Sequence, residues 1–122
     1  MKSNVLFTTV VFILLLTSCY KEPITHFGFD NNFDKNSQGL TIMHVDKSEK
    51  SISLTGDVAV SKGEVLVELI NPSKDTVFTR HIISPEELHI NESFVAYSGL
   101  WKLKYKSLEG EGVLTLNLIA VN

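Results

Sequence analysis

From Gly39 onward, apolar and polar residues alternate with a period of two, in short runs separated by turn-forming residues. Thr41 to Asp46 is the first run, closed by Lys47-Ser48-Glu49. Lys50 to Val60 is a longer one, with Ile52, Leu54, Val58 and Val60 at even positions. Gly56-Asp57 in its middle is where a bulge is expected, because glycine weakens strand pairing. Ser61-Lys62-Gly63 reads as a tight turn, and Glu64 to Ile70 then alternates with Val65, Val67 and Leu69 on one face. Asn71-Pro72-Ser73-Lys74-Asp75 is the strongest turn signal, since proline fixes φ and Asn and Asp favour turn starts. Thr76 to Ile83 is the next run. Ser84-Pro85-Glu86-Glu87 has the look of a helix start. No apolar stripe follows, so the expectation is a turn or one helical turn. Leu88, Ile90 and Phe94 share a face, and Ser98-Gly99 turns the chain. Trp101, Leu103 and Tyr105 alternate with Lys102, Lys104 and Lys106. Leu108 to Gly112 reads as a hairpin loop, and Val113 to Val121 closes the pattern with Leu114, Leu116 and Leu118 inward.

Seven short strands with regular turns and no convincing helix predict an all-β fold, a seven-stranded antiparallel β-sandwich. An immunoglobulin-like order is expected, because seven strands and an inward tryptophan match that size and core, although its cysteine pair is absent. The expected core is Ile52, Leu54, Val65, Val67, Leu69, Leu88, Ile90, Phe94, Trp101, Leu103, Tyr105, Leu114, Leu116 and Leu118. The lysine row at 102, 104 and 106 and the acidic row at Glu64 and Glu68 fall on strands expected to be neighbours. Their plain reading is a solvated face with cross-strand pairing; their functional reading is a docking face for an acidic partner.

The segment before Gly39 differs. Tyr20 to Gln38 has no sustained alternation and carries an Asn/Asp/Lys/Ser cluster, so residues 19–38 are expected to form a flexible tether. Phe27, Phe29 and Phe33 are its exception, and docking of at least one onto the domain is expected. Asp30, Asn32, Asp34 and Asn36 have the spacing that opens a calcium loop. Lys35 and Thr41 stand where such a loop needs glycine and glutamate, so no metal is expected there.

Ahead of this lies a short positive region at Lys2 and an uncharged apolar stretch from Val5 to Leu16. Twelve residues are too few to span ~30 Å of hydrocarbon but fit an export signal. Leu16-Thr17-Ser18-Cys19 follows, and Cys19 is the only cysteine. This tetrad resembles the lipobox of bacterial lipoproteins. The resemblance implies that residues 1–18 are removed as a signal peptide and that Cys19 carries the lipidation, a diacylglyceryl group and often a further acyl chain such as palmitate. Two or three chains hold a protein to a membrane where one binds only marginally. Localisation is then extracytoplasmic, and Tyr20 in place of Asp after the cysteine fits outer-membrane sorting in a cell with two membranes. Within 39–122, the Gly-x-Val-x-Val-x-Leu-x-Asn-Pro run at 63–72 and Gly-x-Trp-x-Leu-x-Tyr at 99–105 look like small β-sandwich lipoproteins of bacterial envelopes.

Charge narrows the partners. Loss of Lys2 leaves ten Lys and Arg against 14 Asp and Glu, a formal −4 for the cleaved chain. That argues against nucleic acid, which requires a basic patch. With its thiol consumed, the domain has no disulfide and no cysteine nucleophile. His26, His44, His81 and His89 are not paired at a metal-ligand spacing. Glu86-Glu87 and Glu109/Glu111 lie in expected turns, without the apolar pocket that acid/base work needs. No catalytic residues, cofactor or metal are therefore expected, and the chain is not expected to be an enzyme. It reads as a lipid-anchored envelope module that binds or builds, with the membrane at Cys19 and an envelope protein or glycan as partner. The alternative reading is a carbohydrate- or peptide-binding surface protein using loops at one end of the sandwich. Asn71, Asp75, Phe94 and Tyr97 are its candidate ligand-facing residues.

Overall fold

The computed structural model describes residues 26–122. Cys19, the leader and the first part of the expected tether lie outside them. Six antiparallel strands make up the fold: β1 (His26–Phe33), β2 (Gln38–Val45), β3 (Ser51–Ile70), β4 (Thr76–Ile83), β5 (Glu87–Val95) and β6 (Gly99–Val121). Two of them, β3 and β6, are 20 and 23 residues long. At about 3.3 Å per residue each would exceed 60 Å if straight, several times the ~13 Å radius of gyration of a domain this size. Both bend instead.

The bend is written in the side-chain parity. Along β3, even positions Ile52 to Val60 are buried, and then odd positions Val65 to Leu69. Along β6, odd positions Trp101 to Ser107 give way to even positions Leu114 to Leu118. The β3–β6 ladder shifts register between Val60 and Lys62 and again between Lys62 and Glu64. Such insertions bend a strand and let it turn a corner. Gly63 and Glu109 both adopt left-handed backbone there, with φ of 62° and 56°. A Cβ on Gly63 would collide with the Glu109 carbonyl, so glycine is required for the close approach. The buried Ser107 hydroxyl donates to the Gly110 carbonyl and accepts from the Gly110 N–H, both at 2.9 Å, which closes the corner on the β6 side.

The two bent strands thus serve two four-stranded layers. Layer one runs β1, the second half of β6, the first half of β3, then β5. Layer two runs β2, the first half of β6, the second half of β3, then β4. The turns at 34–37 and 84–86 break the outer strands at the same corner where β3 and β6 continue unbroken. This is the order of a jelly roll. Nineteen buried apolar side chains form one core between the layers. Phe29 of layer one stands edge-on to Tyr105 of layer two at 4.9 Å, and Phe78 of layer two meets Phe94 of layer one at 6.4 Å.

The antiparallel all-β sandwich is the expected class. The strand number is six rather than seven, and the expected immunoglobulin-like order is replaced by the jelly-roll order. Ser61-Lys62-Gly63 and Leu108 to Gly112 have the composition of turns, but the chain continues through both as strand. No bulge forms at Gly56-Asp57, because both ladders keep continuous register from Ser51 to Ala59. The sandwich also begins earlier than Gly39. Residues 26–33 pair with β6 from Ile119 to Gly112. Phe33 is in the core, with Phe27 and Phe29 packed against it. Asn31, the polar residue on that inward face, donates to the Tyr105 hydroxyl at 3.1 Å. Asp34 is occupied as a turn residue, its carboxylate accepting from the Asn36 N–H and the Ser37 hydroxyl.

Candidate binding surfaces

The loops after β2, β3 and β5 (46–50, 71–75 and 96–98) gather at the end of the sandwich away from the corner. Pro72 there lies against Gly99, where an added Cβ would be 2.8 Å from the proline ring. The structure thus brings the expected candidates to one end, but it spends most of them on the fold. Asn71 is buried, and its Oδ1 accepts from the Asp75 N–H at 2.9 Å. Its backbone N–H donates to the Asp75 carbonyl and its carbonyl accepts from Lys74, each at 2.9 Å. Asn71 therefore holds its own turn. Phe94 is half-buried against Phe78. Tyr97 contributes its carbonyl, which accepts the Trp101 indole N–H at 2.8 Å. Only the side chains of Asp75 and Tyr97 are left exposed among the four.

The outward face of layer two is different in character. β6 presents Lys102, Lys104 and Lys106 in a row, flanked by Leu40 and Ile42 of β2 and by Leu66, Glu68 and Ile70 of β3. A groove of about 570 Å³ crosses this face, lined by Gln38, Leu40, Leu66, Glu68, Lys104 and Lys106. Glu68 is in register with Lys104, as cross-strand pairing would have it, but Glu64 is opposite Leu108 and instead meets His81 of β4 at 2.7 Å. Among the described residues none of the three lysines makes an ion pair; the cationic pairs are Lys62–Glu111, Arg80–Glu92, His81–Glu64 and His89–Asp57. Gly39 and Tyr105 complete the lining; the Tyr105 side chain is buried, and among the described residues the groove has no other aromatic lining residue. No single strand carries the groove, which exists only where three strands lie side by side.

Two further surfaces are self-satisfied. A smaller cleft of about 320 Å³ opens between β4 and β5, lined by Phe78, Arg80, Glu92 and Phe94. The Arg80 guanidinium there stacks 4.9 Å above the Phe78 ring and stands 3.9 Å from Glu92. The middle rows of the outward face of layer one are polar, with Thr115 donating to Asp30 at 3.2 Å and His89 bonded to Asp57 at 2.8 Å. Among the described residues no three His, Cys, Asp or Glu side chains converge as a metal would require. No helix among them is long and apolar enough to cross a membrane.

No family model matches this chain, and no curated protein matches it. Its likeness is to solved structures and is one of fold. A GH115 4-O-methyl-α-glucuronidase, BtGH115A, aligns with 79% of this chain at 6% identity and a TM-score of 0.50, and this chain spans only 16% of it. The insecticidal δ-endotoxin Cry8Ea1 of Bacillus thuringiensis aligns with 76% at 12% identity and 0.47, this chain spanning 20% of it. The carbohydrate-binding module CBM36, solved with calcium and xylotriose, aligns with 76% at 8% identity and 0.48, with 87% of that chain covered. The class defined is an antiparallel, two-layer β-sandwich.

Proposed function

We propose that this protein is a bacterial envelope lipoprotein, held outside the cytoplasm by acyl chains on Cys19, whose sandwich is a non-catalytic binding module for an acidic glycan. One observation carries the binding half of this reading: three lysines that make no ion pair among the described residues stand in a row beside a groove, in a chain whose net charge is −3. Complementary charge in an otherwise acidic protein selects an anionic partner and steers its approach. Alternate residues of a strand lie about 6.6 Å apart, so the row spans about 13 Å. An extended saccharide bearing carboxylates or phosphates presents charge at that interval. Leu40 and Leu66 offer apolar floor to sugar C–H groups, while Gln38 and Glu68 offer amide and carboxylate to hydroxyls. The ring that lines the groove, Tyr105, is buried, so affinity comes from charge and hydrogen bonds, and salt weakens it.

The test is binding of the lipidated protein, in nanodiscs, to acidic and neutral envelope glycans. Lys104→Glu with Lys106→Glu is expected to weaken acidic-glycan binding by about tenfold or more, with an unchanged melting temperature. Undiminished binding by the double variant, or equal preference for neutral glycans, overturns the groove assignment. Intact-mass measurement of native material tests the anchor separately: a free thiol at Cys19 ends that half of the reading.

A further inference from the structure

The exposed apolar side chains of the described residues are not spread evenly. Val95, Tyr97, Leu100 and Val121 are 64%, 59%, 50% and 45% exposed. All four lie at the loop end of the sandwich. Val121 and Val95 flank Ser51 in the last row of layer one. Tyr97 is in the connection between β5 and β6, and Leu100 sits at the start of β6 opposite His44. Leu40 and Ile42 share the outward face of layer two with Leu100 but lie farther from this end, and only Ile83 and Val113 are exposed toward the corner end.

The chain enters at this same end. His26 opens β1 opposite Ile119, and β1 runs antiparallel to β6, so the described residues begin at this end, two positions from Val121. Only six residues, 20–25, separate His26 from Cys19. Even fully extended, that stretch reaches about 25 Å. An acylated Cys19 therefore lies within that reach of the loop end, the end of the domain at which the lipid is attached and at which the four exposed apolar side chains stand. Lys47, Lys50 and Lys74 in these loops are matched by Asp46, Glu49 and Asp75, so the sign of the headgroups does not decide the contact.

Resting on the anchor reading above, we infer that Val95, Tyr97, Leu100 and Val121 form a membrane-seated cap that fixes the domain upright on the bilayer surface. Tyrosine is suited to this depth, with an apolar ring and a hydroxyl that stays wet. The groove on layer two then faces sideways, parallel to the membrane, open to a polymer lying along the envelope.

The sole cysteine makes the test clean. With Cys19 acylated, the wild-type chain takes no thiol label, and this control reads the anchor on its own. Ser98→Cys at the loop end and Asn36→Cys at the corner end each add one labelling site on the full lipidated chain. In vesicles of neutral phospholipid carrying nitroxide-labelled acyl chains, the Ser98→Cys fluorophore is expected to be quenched about twofold or more over the Asn36→Cys one, as interfacial burial requires. Adding Tyr97→Asp and Leu100→Asp is expected to bring the two to equality. Equal quenching at both sites, or quenching at residue 98 that survives the two aspartates, overturns the cap while leaving the anchor standing.

Discussion

Trp101 is buried to 1% and its indole N–H is satisfied by the Tyr97 carbonyl, so it serves the core rather than a ligand. Trp101→Ala is expected to remove about 3–5 kcal/mol, the usual range for a buried large aromatic, read as a shift in urea midpoint. Trp101→Phe keeps most of the ring but leaves the carbonyl unpaired, and about 1–3 kcal/mol is expected to go with it. Gly63 carries a different constraint. Its φ of 62° and its contact with the Glu109 carbonyl leave no room for a side chain. Gly63→Val is expected to destabilise by at least the roughly 1–3 kcal/mol that a non-glycine residue costs in left-handed backbone, read as a shift in urea midpoint. Purely local readings reached many of these residues. All fourteen expected core positions lie in the core or pack against it, because an inward side chain is marked by period-two alternation whatever the strand order. Met43, Val45, Phe78 and Ile82 belong to the core as well; each sits in a run whose pattern predicts a strand without marking its inward face.

Strands proved harder to delimit than faces. The two corners carry Ser, Lys, Gly and Glu, the residues of a hairpin loop, yet β3 and β6 pass through them unbroken. Composition cannot separate a turn that reverses the chain from a bend that carries it into the opposite layer. What separates them is the parity change, even to odd in β3 and odd to even in β6, and that is visible in the sequence once two adjacent runs are read as one strand. β1 was obscured for another reason. Its inward face is Phe27, Phe29, Asn31 and Phe33, and the asparagine interrupts the apolar alternation because its partner, the Tyr105 hydroxyl, lies 74 residues away. A chain started at Gly39 would lose the outer strand of layer one together with Phe29 and Phe33. It is expected to be unfolded or aggregated by circular dichroism and size-exclusion, whereas one started at Tyr20 is expected to fold. The groove was invisible for the same kind of reason: β2 to β6 and β6 to β3 registers must both be known before Leu40, Lys104 and Glu68 fall into one row.

At the scale of the whole molecule, the described part of this acidic chain carries a row of three lysines on one face and much of its exposed apolar surface at one end. These are separate regions with separate readouts. Charge reversal at Lys104 and Lys106 is expected to alter glycan retention and leave vesicle quenching unchanged; aspartates at Tyr97 and Leu100 are expected to do the reverse. Pairings between residues far apart in sequence dominate the fold, from β1 with β6 to β3 with β6, and such topologies fold slowly because long loops must close before any contact rewards them.

Because β3 and β6 thread both layers, neither layer owns its central strands. Opening one sheet would pull on the backbone of the other, so partial unfolding has no natural seam. Amide hydrogens in the middle of both layers should therefore exchange with solvent only through global opening, at a single common free energy, while those of β1, β2, β4 and β5 fray from the rims at lower ones.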